Sequence, residues 1–415
     1  MDDNLKLLAE REEIGAAFLE REIREGRAVV LKHKDDPAAV LLGAGVSTKL
    51  NTNLGISLAS DLQLELEKLR VAEHHGTDTV MDLSTNKTHW TLERMVEASR
   101  VPVGTVPIYG AFANPTEDGF LNEIAAHIKL GASYCTIHAA ITREGSRQAI
   151  KRVTKIVSRG GGILAAYMQE NDCENPLYTN FDYILELFKD TGVAISLGDA
   201  LRPGCLADAN DQAQLMELKV QGELVLRARK AGVPVFCEGP GHMPMDTIAE
   251  NAALQKRICH GAPYYVLGPL VTDTALGYDH INAAIGAAIA AQAGVEFLCV
   301  LTPQEHYSLP TLEGIRDGVI AYRIAAHSAD LLRKKGLWEQ NRQMSQARFD
   351  LNWTEQNRHS ITRIPVETKD HQPCSMCLGL CPMLKVSQLM KGEAGNENLP
   401  LENNRRTQMK EKVAV

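Results

Sequence analysis

The sequence lacks any apolar run of about 18 residues, so no membrane-spanning helix is expected. Its opening segment, MDDNLKLLAEREEIG, is acidic and helical in pattern, with none of the features of a secretion signal. Nine cysteines occur without a paired framework, which fits a reducing cytoplasm. Positive charge is short as well: 44 Lys and Arg face 52 Asp and Glu, a formal net charge of −8. That balance argues against a nucleic-acid partner. An anionic substrate would have to be held by arginines focused in one place.

What is present suits a globular protein with a sizeable core: 415 residues, 44% hydrophobic and 23% charged. Residues 2–27 read as an amphipathic charged helix outside the main domain. From about residue 78, short apolar, β-rich runs recur at Thr79–Leu83, Gly104–Ile108, Tyr134–His138, Val153–Ser158, Val193–Gly198, Val233–Glu238, Pro263–Leu267 and Val295–Leu301. Helical patterns lie between most of them, at Leu92–Ser99, Asp118–Lys129, Asp211–Ala231 and His280–Ala293. Apolar strands alternating with helices predict a parallel sheet covered by helices. Eight such runs are the number that closes an α/β fold of the (β/α)₈ TIM-barrel type. The expected organisation is an N-terminal helical segment over 1–60, the barrel over 61–335, a C-terminal arm over 336–385 and a polar tail over 386–415.

Chemistry in such a barrel belongs at the C-terminal strand ends, and polar residues fall there: Asp82, Tyr109, His138, Ser158 with Arg159, Asp199 with Arg202, Glu238 with His242, Tyr265, and Glu305 with His306. A single one would be ordinary capping or turn chemistry. Repeated at every strand end, they predict one pocket. Arg159 and Arg202 could clamp a phosphate, helped by backbone N–H groups where Ser158-Arg159-Gly160-Gly161 opens a helix. His242 and His306 could hold a divalent ion with open positions. Asp82, Asp279 and His280 are further candidates, although helix capping accounts equally for Asp279.

Near the C-terminus, His371-Gln-Pro-Cys374-Ser-Met-Cys377-Leu-Gly-Leu-Cys381 gathers three cysteines in one tight segment. Three thiolates can hold an iron–sulfur cube and leave one iron without a protein ligand. A structural zinc completed by His371, or free thiols, fit the same spacing. Cys135, Cys237 and Cys299 sit in apolar runs and read as core residues.

The blocks VMDLST, VPVGTVPIYGA, VSRGG, ENPLY, LGDALRPG, EGPGHMPM, LGPLVTD, GYDHI, TPQEH and the terminal CSMC…C, in this order over roughly 45–385, resemble the phosphomethylpyrimidine synthase family of non-standard radical S-adenosylmethionine enzymes. The resemblance implies a (β/α)₈ homodimer whose C-terminal arm carries a [4Fe-4S] cluster to the partner's active site. It implies substrate-binding roles for Asn53, Met81, Tyr109, His138, Ser158, Arg159, Gly160, Asp199, Ala200, Leu201, Arg202, Glu238 and Tyr265. His242 and His306 match the family's ligands for a divalent metal, zinc foremost, and Cys374, Cys377 and Cys381 its cluster ligands. Glu238 and His138 are the candidate proton-handling groups. The implied chemistry cleaves S-adenosylmethionine to a radical that rearranges 5-aminoimidazole ribotide, with electrons from an external donor.

The chain lacks the long N-terminal domain of many bacterial members, and it departs from thiamine-enzyme wording at Ala200, after His138 (AAITREGS), and at TDTALGYDH and EHYSLP. A sister branch makes 5-hydroxybenzimidazole, a cobamide lower-ligand precursor, from the same ribotide. These departures put that product first and the thiamine pyrimidine second. A zinc-dependent hydrolase is the reading from another class, and a non-catalytic metal-binding scaffold the third.

Overall fold

The computed structural model describes residues 3–33, 39–113 and 115–392. From residue 393 onward the expected polar tail lies outside the described residues. The chain divides into two compact units, Met1–Trp338 and Glu339–Val415.

The first unit opens with helices Asp3–Arg11 and Ala16–Arg24, then an antiparallel ribbon of β1 (Ala28–Leu31) and β2 (Val40–Gly43), with Ala28 opposite Gly43. Eight parallel strands follow: β3 (Lys49–Leu54), β4 (Thr79–Asp82), β5 (Val103–Thr105), β6 (Tyr134–Ile137), β7 (Ala194–Leu197), β8 (Val235–Gly239), β9 (Tyr264–Leu267) and β10 (Phe297–Val300). They form a closed barrel in which β10 pairs with β3, Phe297 opposite Lys49. This is the α/β TIM-type fold expected. Helices Thr88–Ala98, Glu117–Lys129, Gln212–Ala231 and Asp279–Gln292 lie where helical patterns were read. Their ends obey local rules. The Asp211 carboxylate accepts from Gln214 N, and Gly232 ends the same helix at φ 75°.

Two strand assignments change. The barrel begins at β3, inside the segment expected to be helical. Its sequence, KLNTNL, reads as polar because Asn51 and Asn53 serve the barrel interior. Buried Asn51 donates to Tyr265 OH at 2.7 Å and accepts from Tyr134 OH at 2.9 Å. Conversely, Val153–Ser158 is a bent loop. The Asp208 carboxylate accepts from Val153 N and Thr154 N at 3.0 Å each and from Thr154 Oγ1 at 2.7 Å. Those bonds occupy the donors a ladder would use. The expectation that a helix opens at Ser158 holds nonetheless: its Oγ accepts from Gly161 N, capping Arg159–Glu170.

Aromatic rings fill the barrel below the mouth. Tyr265 stacks on Phe297 at 4.3 Å, and Phe236 meets Tyr134 and Phe297 edge-on at 5.6 and 5.8 Å. The barrel is thus a packed core with a floor. The second unit holds helix Trp353–His359, a 3₁₀ turn Leu378–Leu380 and helix Pro382–Gly392. Among the described residues no helix is long and apolar enough to cross a membrane.

Candidate active site

One pocket opens at the C-terminal ends of the strands. Asn53, Met81, Tyr109, His138, Asp199, Arg202, Glu238 and Tyr265 line it, all singled out from sequence. Leu83, Val106, Thr136 and Cys299 also line it and were not. The polar groups are held from behind. Glu238 Oε1 accepts from Thr136 Oγ1 at 2.7 Å and Ser196 Oγ at 2.6 Å. Arg202 donates to Asp199 Oδ1 at 2.9 Å. Asp199 Oδ2 and His138 Nδ1 are buried without a hydrogen-bond partner, and such atoms call for a ligand.

Burial sets the protonation states here. It pushes the Asp199 carboxyl up to about 8, against the opposing Arg202 charge. It pushes His138 down to about 3, aided by Arg202. Burial thus favours the neutral form of both side chains, opposed at Asp199 by the Arg202 charge. Asp82 is raised to about 6 by burial and, with its carboxylate bonded to Ser84, closes the end of β4. Cys299, read as an ordinary core residue, faces the pocket. Its sulfur accepts from Asn53 Nδ2 at 3.2 Å, and burial holds the thiol protonated, with a pKa of about 12.

The other sequence candidates stand around this pocket. Ser158 Oγ lies 3.4 Å from His138 Nε2. The Arg159 guanidinium sits 4.9 Å over the Tyr109 ring. A Cβ on Gly160 would come within 2.5 Å of the His138 ring, so only glycine lets this helix start approach so closely. Ala200 and Leu201 do not line the pocket. Both are fully buried, and Leu201 N donates to Glu217 Oε2 at 2.8 Å while its carbonyl accepts from Arg152 at 2.8 Å. They fix the loop that presents Asp199 and Arg202.

His242 and His306 converge with Nε2 atoms 3.3 Å apart. Each outer nitrogen faces a carboxylate: His242 Nδ1 is 2.8 Å from Asp273 Oδ1, and His306 Nδ1 is 3.0 Å from Asp279 Oδ1. An imidazole whose Nδ1–H is tied to a carboxylate presents the Nε2 lone pair to a metal, which is the orienting arrangement of metal-ligating histidines. Asp273 escaped the sequence reading, and Asp279 has a task beyond opening its helix. His280 is not part of this cluster; its Nδ1 is buried without a hydrogen-bond partner.

In the second unit Cys381 is buried, while Cys374 and Cys377 are half-buried. The intervening backbone turns tightly: Leu378 N donates to Cys374 O at 3.1 Å, and Leu380 N to Cys377 O at 2.9 Å. His371 Nδ1 lies 3.1 Å from Asp350 O.

The radical SAM ThiC family matches residues 1–388. The chain belongs to the ThiC family. It is 44% identical to the phosphomethylpyrimidine synthase of Ignicoccus hospitalis, over 96% of this chain and 97% of that protein. It is 46% identical to that of Methanopyrus kandleri, over 91% and 94%. It is also 44% identical to that of Clostridioides difficile, over 94% and 95%. These ThiC relatives carry the name of the pyrimidine synthase, so they favour the product that the sequence reading ranked second. A radical SAM ThiC protein is expected to use a [4Fe-4S] cluster and S-adenosylmethionine, which removes the scaffold and hydrolase readings.

Proposed function

We propose that the protein is a phosphomethylpyrimidine synthase that rearranges 5-aminoimidazole ribotide, and that it works as a homodimer supplied with electrons by an external donor. One observation carries the reading: Arg202, Asp199 and unpartnered His138 share a pocket beside two convergent histidines, in a member of this family.

The residues present fit the groups the reaction needs. The two Nε2 atoms with carboxylate-bound outer nitrogens suit a divalent cation such as zinc, with further positions left to water or substrate. Cys374, Cys377 and Cys381 supply three thiolates on a tight turn, matching a cube with one open iron. When bound, that cluster with S-adenosylmethionine supplies the radical that starts the rearrangement.

The remaining steps belong to the protein. Arg202 and Arg159 receive the ribotide phosphate, joined by backbone N–H groups where the helix Arg159–Glu170 opens. Tyr109 orients the ribose edge, and Asn53 and Tyr265 form the polar floor. Asp199, whose neutral form burial favours, can give a proton from Oδ2 to a ring or ribose oxygen, while Glu238, fixed by Thr136 and Ser196, accepts one. Met81, Leu83 and Val106 exclude water from the reacting carbons. Exposed Met376, Leu378 and Leu380 beside the cysteines suit a segment that is covered during turnover, as in an arm seated at a partner's barrel mouth.

The departure at Ala200 keeps 5-hydroxybenzimidazole as the second reading, since this buried residue backs the loop that carries Asp199 and Arg202. Anaerobic reconstitution, followed by incubation with the ribotide and S-adenosylmethionine and mass spectrometry of the products, decides between them. A pyrimidine phosphate is expected. A benzimidazole, or no ribotide consumption by a protein loaded with the cluster, would overturn the proposal.

A further inference from the structure

Outside the pocket, three metal-ligating side chains meet between the helices Thr88–Ala98 and Glu117–Lys129. His89 Nε2 lies 2.8 Å and His127 Nε2 3.4 Å from the same oxygen, Glu123 Oε2. All three donor atoms fall within 4.8 Å of one another, and among the described residues no other group of three such side chains does so.

Several features go beyond a chance hydrogen-bonded cluster. His127 is 2% exposed, and its Nε2 has no hydrogen-bond partner, although it is aimed at the other two ligands. Its other nitrogen, Nδ1, is 2.9 Å from Thr105 Oγ1 at the end of β5, which fixes the ring and can accept a hydrogen bond from Nδ1–H. This is the outer-sphere bond that ligating imidazoles make. The Glu123 carboxylate reaches its place only because residue 110 is glycine. A Cβ there would lie 2.0 Å from Glu123 Oε2. Four-coordinate ligands bound at about 2.0–2.1 Å stand about 3.3 Å apart, so modest rotation of His89 closes the set. His89, at 49% side-chain exposure, borders an open pocket formed with Trp90, Tyr109 and Gly110. A fourth position would therefore face solvent.

We propose that His89, Glu123 and His127 form a second divalent-metal site, selective for zinc-class transition ions, with three protein ligands and one exchangeable position. Two imidazoles and one carboxylate favour such ions over calcium or magnesium, which prefer oxygen ligands. The site would tie two barrel helices together directly behind the Tyr109–Gly110 loop. It is separate from His242 and His306 and does not depend on the proposed reaction.

Cobalt(II) titration of the full chain tests the site. In protein carrying Cys374→Ser, Cys377→Ser, Cys381→Ser, His242→Ala and His306→Ala, about one equivalent should still bind and give the visible bands of four-coordinate cobalt. Adding His127→Ala or Glu123→Gln should abolish those bands. Absence of binding by the folded parent variant, or bands that survive both additional changes, would overturn the proposal. Should the multiple variant fail to fold, zinc-edge anomalous scattering from crystals of the unaltered chain soaked in zinc chloride decides. A peak bonded to His89, Glu123 and His127 supports the site, and zinc density confined to other positions refutes it.

Discussion

The barrel mouth and the cysteine-bearing unit organise their functional side chains in opposite ways. At the mouth each group is braced by the protein itself: Glu238 by Thr136 and Ser196, Arg202 by Asp199, His242 by Asp273. Around the cysteines, Met376 is 89% exposed, Leu378 60% and Leu380 79%, and only Cys381 is buried. The pocket is therefore preorganised by packing, with its geometry secured before any ligand arrives. The cysteine segment has little of its own core, so a cluster bound at its thiolates would supply the order that packing does not.

The sharpest way to break this contrast is Cys377→Ser. Deoxyadenosine formation should fall to background, while the barrel's thermal unfolding and far-ultraviolet circular dichroism stay unchanged. A Tm loss like that of a barrel-core mutant would show that the two units are not energetically separate. Next comes Arg202→Ala, which should raise the Kd for the ribotide by about 10- to 150-fold, the equivalent of roughly 1.5–3 kcal/mol for a charged hydrogen bond. Arg159→Ala should cost less, because Arg159 is exposed and stacked on Tyr109. Isothermal titration of both variants checks the order, and equal losses would mean the phosphate sits nearer the rim.

A smaller effect is expected from Asp273→Asn, which frees the His242 ring. Metal affinity at His242 and His306 should fall about tenfold, measured by competition with a chelating dye. An effect of a different kind lies in the pH dependence of stability. Burial lowers His138 to about 3, whereas in the unfolded chain it titrates near about 6.5. Between those values only the unfolded chain takes up the proton. The stabilisation is complete above about pH 6.5 and is lost as pH falls toward 3, by at most about 1.4 kcal/mol per pH unit. His138→Asn should therefore flatten the acid limb of a denaturation-against-pH series. Asp199 titrates with the opposite sign but is present in both proteins, so it cancels in their difference. An unchanged acid limb would show that His138 is solvated in the mouth and not preorganised.

The barrel was legible because its interior strands are continuous apolar runs separated by amphipathic helices. The two errors share one cause. Lys49–Leu54 hides as polar sequence because its asparagines serve the barrel interior, and Val153–Ser158 imitates a strand until Asp208, over fifty residues later, claims its N–H groups. Reading polar residues at strand ends located most of the pocket, since direction along a strand is a local property. It could not find what depends on distant partners. Cys299 looks like core until Asn53 is placed beside it, and Asp273 looks like a loop residue until His242 Nδ1 meets it. His89 and Glu123 are 34 positions apart in sequence and meet only because two neighbouring barrel helices pack side by side.

We propose that three cysteines on an exposed segment serve a pocket built by the barrel. Anaerobic reconstitution with iron and sulfide, followed by quantification of deoxyadenosine with and without the ribotide, tests it most directly. About four irons per chain and deoxyadenosine formation that depends on the ribotide, and is lost in Arg202→Ala at limiting ribotide, are the predicted results. A colourless protein that holds tetrahedral zinc on Cys374, Cys377 and Cys381, or deoxyadenosine formation indifferent to the ribotide, would contradict it.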